Sequence, residues 1–516
     1  MMLGRCDGRV TGYPEPAARS KPRPPGARNA SGLLRYAPRV SVSAFDSFYL
    51  KDRFGSPAMR AIWDDRATIQ RWLDVEAALA VVEAEVGLIP RTAAREIARK
   101  ARVERLDLRA MKRDFDTTWN PIMPLVDALR RTLSPPAARF VHWGATSKNV
   151  IDTGTALQVR DTYAVVLAEL DVLADVLSGL ARRHRDTLMA GRTHGQHALP
   201  VTFGYRCAVW LDELMRQRER LLLTRPRVLV GEFGGAVGTL ASLGRPGLRV
   251  QAGLVKRLGL QAPRVPTKTA GDRFAEFFLA LAMVSATLGK IAANIYNLQQ
   301  TEVDEVAEFS EGKVGSTAMP HKQNPVASGS VVLLGRLLRA RVGPVLEYVH
   351  CEGEDDHRQG ETAWSFASEV CLLLGAQLEL LKRVLRTLVV KADNMRRNLD
   401  RSGGAVVSET VMMALAPRLG RDRAHALVLG LAREALRSQR PFREVVAADA
   451  EVRKLLSPRR LARALDYRSS LGLAGHFVDE VLAAHETSRR PARPRRRRPR
   501  AAAPGKRRGK ARGRSR

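Results

Sequence analysis

An all-α fold is predicted by three features of the sequence. Apolar residues recur at helical spacing over stretches of about 30 residues, glycine and proline are scarce inside those stretches, and strand-like alternation is scarce throughout. The first such stretch is 58–87, "AMRAIWDDRATIQRWLDVEAALAVVEAEVG". There Ile62, Ile69, Trp72, Leu73, Val75, Leu79, Val82 and Val86 fall on helical spacings. Gly87 stops it, and Pro90 reinforces the stop. A second runs over 156–186, "ALQVRDTYAVVLAELDVLADVLSGLARRHRD". The third, over 272–309, "DRFAEFFLALAMVSATLGKIAANIYNLQQTEVDEVAEF", has Gly289 as its only glycine and no proline. Helices this long pack along their length in a bundle. Several carry more apolar surface than one bundle hides, which points to pairing with other copies of the chain.

Between the helices lie short stretches rich in Gly, Pro and Thr that concentrate polar residues. They are "HWGATSKNVIDTG" (142–154), "AGRTHGQHALPVTFG" (190–204), "GEFGGAVGTLASLG" (231–244) and "EGKVGSTAMPHKQNPVASG" (311–329). Loops held on a rigid scaffold are where functional groups concentrate.

The bulk properties bound the rest. The 516 residues are 45% hydrophobic, ordinary for a chain that buries a core. Cys6, Cys207, Cys351 and Cys371 are scattered with no C-x-x-C pair, which suits a reducing cytoplasm and argues against a zinc site. The longest uncharged apolar stretch lies between Glu276 and Lys290 and is shorter than the roughly 20 residues of a membrane helix, so no membrane partner is expected. The net charge of +33 resembles a nucleic-acid signal, but the tails carry most of it. Residues 489–516 hold 15 Lys/Arg and no acid. Such a composition is expected to be disordered and to contact nucleic acid non-specifically. Residues 1–44 read as a basic, Pro-rich extension without a secretory apolar stretch, either a leader or the product of a start codon placed too early. The expected organisation is an extension over 1–44, an N-terminal helical domain over 45–155, a central bundle over 156–392, a C-terminal helical domain over 393–487 and an Arg-rich tail over 488–516.

The segment 315–325, "GSTAMPHKQNP", closely resembles the G-S-S-x-M-P-x-K-x-N-P signature of the fumarase/aspartase superfamily, with Thr317 in place of the second serine. The resemblance extends from about Phe45 to His485. "RFVHWGATSKNVIDTG", "QHALPVTFG" and "NPIMPLVDALR" look like its 3-carboxy-cis,cis-muconate cycloisomerase branch, and adenylosuccinate lyase is the other near resemblance, from which "NPIMP" departs where those enzymes carry a His-Asp pair. The resemblance implies three-domain, all-helical subunits whose long central helices form a tetrameric bundle. It also implies active sites built from loops of several subunits, a small dicarboxylate-type substrate, and neither cofactor nor metal. The chemistry implied is removal of a proton beside a carboxylate and expulsion of a group from the neighbouring carbon, typically releasing fumarate.

The residue types suit that chemistry. Loss of such a proton creates a doubly negative aci-carboxylate, which needs fixed cations and oriented N–H groups. Lys322 and Asn324 are suitable donors. Ser316 matches the family's general base, a role that requires its alkoxide to be stabilised by positive charge and backbone amides. Gly312 and Gly315 would let the segment swing shut over substrate. Thr317 and Met319 complete the segment as substrate contacts. His194 matches the general acid of adenylosuccinate lyase, and an imidazole of ordinary pKa near 6.5 suits that role. Thr193 and Gln196 flank it and orient substrate. His142, Thr146 and Ser147 match substrate-contacting positions. Arg53 in "RFGSPAM" aligns with an arginine of adenylosuccinate lyase, and a guanidinium grips carboxylate or phosphate well.

Several departures bear on substrate. His194 stands where bacterial cycloisomerases carry Trp, and "GED" (353–355) stands where they carry a carboxylate-binding arginine. Gly329 stands where adenylosuccinate lyases place a glutamate behind the catalytic histidine. Glu354 or Asp355 is therefore expected to face a cationic part of the substrate. The expected activity is C–N cleavage of an N-substituted aspartate or succinyl compound by a cytoplasmic lyase. The alternatives are a lactonising cycloisomerase and a non-catalytic helical scaffold with a basic tail.

Overall fold

The computed structural model describes residues 41–308, 316 and 318–489. Most of the extension expected over 1–44, most of the tail expected over 488–516, and Gly312, Gly315 and Thr317 lie outside them. Helices dominate, as the periodicity predicts. Helix α1, Asp65–Val86, is capped by Asp64 and closed by Gly87 in the left-handed region at φ 90°. Its buried stripe holds Trp72, Leu73, Val75, Leu79 and Val82 from the apolar set read from the sequence; Ile69 and Val86 are half-buried, and Ile62 falls in a separate preceding helix, Pro57–Trp63.

Five long helices form the central body. They are α2 (Ser147–Arg183), α3 (Phe203–Val228), α4 (Asp272–Leu298), α5 (Val326–Arg339) and α6 (His357–Arg386). The pairs α2–α3, α4–α5 and α5–α6 pack side by side. Aromatic rings join them inside, with Phe278 edge-on to Phe366 at 5.1 Å and Tyr163 against Phe277 at 4.7 Å. Helices α4 and α6 are long and apolar enough to cross a membrane by length and composition, but most of each apolar window is buried within the protein. A second core, running from Val411 to Ala464, fills the C-terminal helices.

Several readings of the sequence change. Residues 147–154, read as loop, open helix α2. Asn149 Oδ1 accepts the Thr146 N–H at 3.2 Å and satisfies a donor that a helix start leaves unpaired. Position 155, the expected end of the first domain, falls inside this helix. The 190–204 stretch, also read as loop, is a β-hairpin of β1 (Leu188–Thr193) and β2 (Gln196–Thr202). Its Gly191 lies so near β2 that a Cβ would meet the Leu199 carbonyl at 2.7 Å. At the C-terminus, Arg489, counted in the tail, belongs to the helix Ala474–Arg489 and pairs with Asp175 at 3.0 Å.

The long helices give the body two ends. At one, Thr153 near the start of α2 bonds the Glu232 carbonyl, Glu232 pairs with Arg273 at the start of α4, and Gln359 at the start of α6 reaches the Thr269 carbonyl. At the other end, Glu305 beyond α4 pairs with Arg192 beyond α2. There β3 (Val306–Ala307) pairs with β4 (Val389–Val390), which lies beyond α6. Helices α2, α4 and α6 thus run from the first end to the second, and α3 and α5 return. At 1.5 Å per residue the 37 residues of α2 span about 55 Å.

One buried group in α1 makes a prediction about pH. Glu83 is fully buried, and neither carboxyl oxygen has a hydrogen-bond partner. Burial, and then the charge of Glu76, push its pKa from 4.5 up to about 9. The folded chain therefore holds a proton there that the unfolded chain releases, so stability falls as pH rises from 4.5 toward 9. Glu83→Gln is expected to flatten that slope. It should gain roughly 3 kcal/mol at neutral pH and little at pH 4.5, measured by denaturant unfolding across the range.

Candidate active site

The signature segment lies at the second end. Ser316 is half-buried, and its Oγ accepts the Met319 N–H at 3.0 Å. Met319, His321, Lys322 and Gln323 are exposed, and Asn324 is half-buried. Helix α5 starts immediately after, and Glu308 fastens its first turn. The Glu308 carboxylate accepts the Ala327 N–H at 2.7 Å, the Ser328 N–H at 3.0 Å and the Ser328 hydroxyl at 2.6 Å. A single side chain before the signature therefore holds the helix after it, which closes the base of the intervening segment.

A cavity of about 1050 Å³ adjoins this base. Arg53, His321, Asn324 and Ser330 line it, with Lys391 from beyond α6. Arg53 donates to Ser330 Oγ at 2.8 Å and forms no ion pair among the described residues. Lys391, by contrast, is paired with Asp304. Arg53 thus offers a guanidinium that no carboxylate among the described residues pairs with, beside the signature.

His194 sits on the same end, at the tip of the β1–β2 hairpin. Thr193 pairs with Gln196, and the two residues between them, His194 at φ 52° and Gly195 at φ 78°, are both left-handed. That is the geometry of a type I′ turn, which matches the twist of the strands. Thr193, His194 and Gln196 are exposed, and the His194 ring makes no hydrogen bond among the described residues. The hairpin is tied down by Arg192, whose guanidinium grips Glu305 in two bonds, at 2.6 and 2.9 Å. Glu305 is fully buried and also accepts from Asn398 at 3.0 Å.

His142, Thr146 and Ser147 lie at the opposite end, at the start of α2. Ser147 exchanges hydrogen bonds with the Asn120 side chain at 3.0 and 3.1 Å. Asn149 links the segment to the glycine-rich stretch by accepting the Gly235 N–H at 3.2 Å. His142 adopts φ 64°, and its Nδ1 lies 2.6 Å from Glu76 Oε1. Glu354 and Asp355 belong to this end too. Asp355 is half-exposed and accepts from the buried Lys268 Nζ at 2.6 Å. Its charge, read from the sequence as available to substrate, has a cation of its own within the chain. Next to it, burial raises the Asp152 carboxyl against the pull of its partner Lys148, 2.8 Å away.

The fold therefore brings the candidates together in two groups. Ser316, Met319, Lys322, Asn324, Arg53, Thr193, His194 and Gln196 share one end; His142, Thr146, Ser147, Glu354 and Asp355 share the other. Sequence reading passed over the acidic and basic partners that set each group: Glu76, Lys268, Glu305 and Glu308. Only Glu76 left a legible trace, a charge four residues after Trp72 on an otherwise apolar helical face. No group of metal-ligating side chains occurs among the described residues.

Comparison with known proteins agrees with the fold and the motifs. A family described as "Lyase" matches residues 53–336, and one described as "Adenylosuccinate lyase C-terminus" matches residues 404–481. The chain is 39% identical over 443 residues to the N-acetyl-S-(2-succino)cysteine lyase of Enterococcus italicus, covering 86% of this chain and 97% of that one. It is 39% identical to the adenylosuccinate lyase of Methanothermobacter thermautotrophicus, over 83% of this chain and 97% of the relative. Among solved structures, the 3-carboxy-cis,cis-muconate lactonizing enzyme of Pseudomonas putida superposes with a TM-score of 0.80 at 39% identity, over 85% of this chain and 99% of its own.

The Arg192–Glu305 pair yields a stability prediction. Arg192→Ala leaves a buried carboxylate with Asn398 as its one side-chain donor among the described residues and is expected to cost about 3–5 kcal/mol. Arg192→Met combined with Glu305→Leu should recover most of that loss, because the apolar pair strands no charge. Denaturant midpoints of the single and double variants check it.

Proposed function

The chain belongs to the fumarase/aspartase superfamily of lyases, and from that premise we propose that it expels a heteroatom leaving group from a succinyl compound in the cytoplasm, releasing fumarate. Two of the relatives support the substrate class by their names. One is named for a succinyl group on sulfur and the other for a succinyl group on a purine. The succinyl part is common to both names, and the leaving group is what differs. This widens the nitrogen leaving group expected from the sequence to sulfur as well.

One observation carries the assignment of the base: the Met319 N–H points at Ser316 Oγ from 3.0 Å. A serine oxygen is basic only as an alkoxide, and a fixed N–H donor stabilises the alkoxide. In the proposed reaction Ser316 takes the proton from the carbon beside the carboxylate. Lys322 and Asn324 hold the two negative charges that develop on that carboxylate. The electron pair then forms the carbon–carbon double bond as the bond to nitrogen or sulfur breaks. His194 supplies a proton to the departing atom, with Thr193 and Gln196 orienting substrate beside it. Arg53 binds an anionic group further along the leaving part, and Thr317 and Met319 close the segment around substrate.

His142, Thr146, Ser147, Glu354 and Asp355 serve the same site only if it is assembled from several chains, because the length of the central helices separates them from the other group. A homotetramer with shared sites answers that requirement. Val209, Leu223, Met283, Leu333 and Trp364, exposed on four of the five central helices, are the apolar surface it would cover.

Ultraviolet detection of fumarate tests the reading on N-succinyl and S-succinyl amino acids. Ser316→Ala is expected to lower kcat by ~10²–10⁴-fold with substrate binding retained; substantial residual turnover refutes the base. His194→Gln should harm amine release more than thiol release, because a thiolate departs without a proton more readily than an amine. Equal losses remove His194 from the acid role. The likeness to the lactonizing enzyme supports a second reading, and carboxymuconate lactonisation run beside the fumarate assay decides between them.

A further inference from the structure

Glu76 belongs to none of the assigned site residues, yet it is the group that holds His142. It lies on the inner face of α1, is 1% exposed, and places Oε1 2.6 Å from His142 Nδ1. No other hydrogen bond of the Glu76 carboxylate occurs among the described residues. His142 meets it from a left-handed backbone at φ 64°, a conformation a non-glycine residue keeps only where its surroundings over-determine it. The ring remains about one-fifth exposed, and four and five residues on come Thr146 and Ser147 at the start of α2.

We infer that Glu76 is a positioning residue of the active site, fixing the plane and tautomer of His142 so that Nε2 is the nitrogen offered to substrate. A carboxylate oxygen accepts and cannot donate, so the proton of the pair resides on Nδ1. The remaining nitrogen, on the exposed side of the ring, is then fixed in both identity and direction. Glu83, two turns further along α1, has its carboxyl raised by burial and then by the charge of Glu76. The arrangement repeats the logic by which a buried carboxylate orients a working imidazole.

The inference rests on reading His142 as substrate-facing, and its test separates the two claims. Nitrogen-15 histidine spectra of the full chain, with H142Q marking the His142 signals, report the tautomer without any need for turnover. Nδ1 is expected to be protonated in the wild type, with that preference lost in E76Q and kept in E76D. In the fumarate assay, E76Q and H142Q should each lower kcat/KM by ~10–100-fold, with E76D partly restored. The double variant should be no worse than the worse single one, because the two act as a unit. Three results overturn the inference: a His142 signal unchanged in E76Q, losses that multiply in the double variant, or full turnover by H142Q. Should E76Q fail to fold, E76M, which also removes the accepting carboxylate, carries the same comparison against E76D and H142Q.

Discussion

A helix of 37 residues cannot bend its ends together, and the placement of every candidate group follows from that rigidity. Helices α2, α4 and α6 run the same way through the body, so whatever precedes them gathers at one end and whatever follows them gathers at the other. The polar segments are attached at those ends because the helices between them are committed to apolar packing along their length. A single chain thus presents two separate constellations. One holds a serine on the signature, an arginine in a cavity and a histidine on a hairpin. The other holds a histidine, two hydroxyls and a loop of acids.

Each end is then fixed by ion pairs with a buried member: Glu305 with Arg192, and Lys268 with Asp355. Such pairs add little net stability, because desolvation offsets most of the attraction. Their effect is on geometry. Arg192 is two residues from His194, and Glu305 lies eleven residues before Ser316, so the pair sets the hairpin relative to the base of the signature segment. Lys268 likewise ties the 350–356 loop to the start of α4. A mismatch at either pair strands a charge in the interior, so the alternatives are penalised steeply even where the pair itself contributes little.

The helices were legible because their signal is local. The stripe from Trp72 to Val82 and the stop at Gly87 can be read without knowing what they pack against. The signature was legible for the same reason, since all its residues lie within eleven positions. The hairpin at 188–202 was not. Its Gly191, Gly195 and Pro200 read as loop, and only the pairing across the two strands, with both turn residues left-handed, makes it regular. The start of α2 was hidden similarly, because Gly154 and the run of small polar residues mask a helix that Asn149 caps. The pairings of Glu76, Lys268, Glu305 and Glu308 were illegible in another way, even where Glu76 itself stood out as a charge on an apolar helical face. Each of these residues lies between 19 and 113 positions from the group it serves, and no periodicity encodes that relation.

The two histidines at opposite ends make the point about completeness. Both occupy left-handed backbone, at φ 64° for His142 and φ 52° for His194, and both sit beside short polar residues. His142 has a buried carboxylate behind its ring. His194 has no ring partner among the described residues, and Gly329 stands where adenylosuccinate lyases carry a glutamate for it. An imidazole without an orienting partner is fixed in neither tautomer nor direction toward a basic leaving group. That deficit matters least when the leaving atom is sulfur, which departs as a stable thiolate. On the reading proposed above, the missing glutamate and the likeness to a lyase named for a succinyl group on sulfur both favour a leaving group that asks little of its acid.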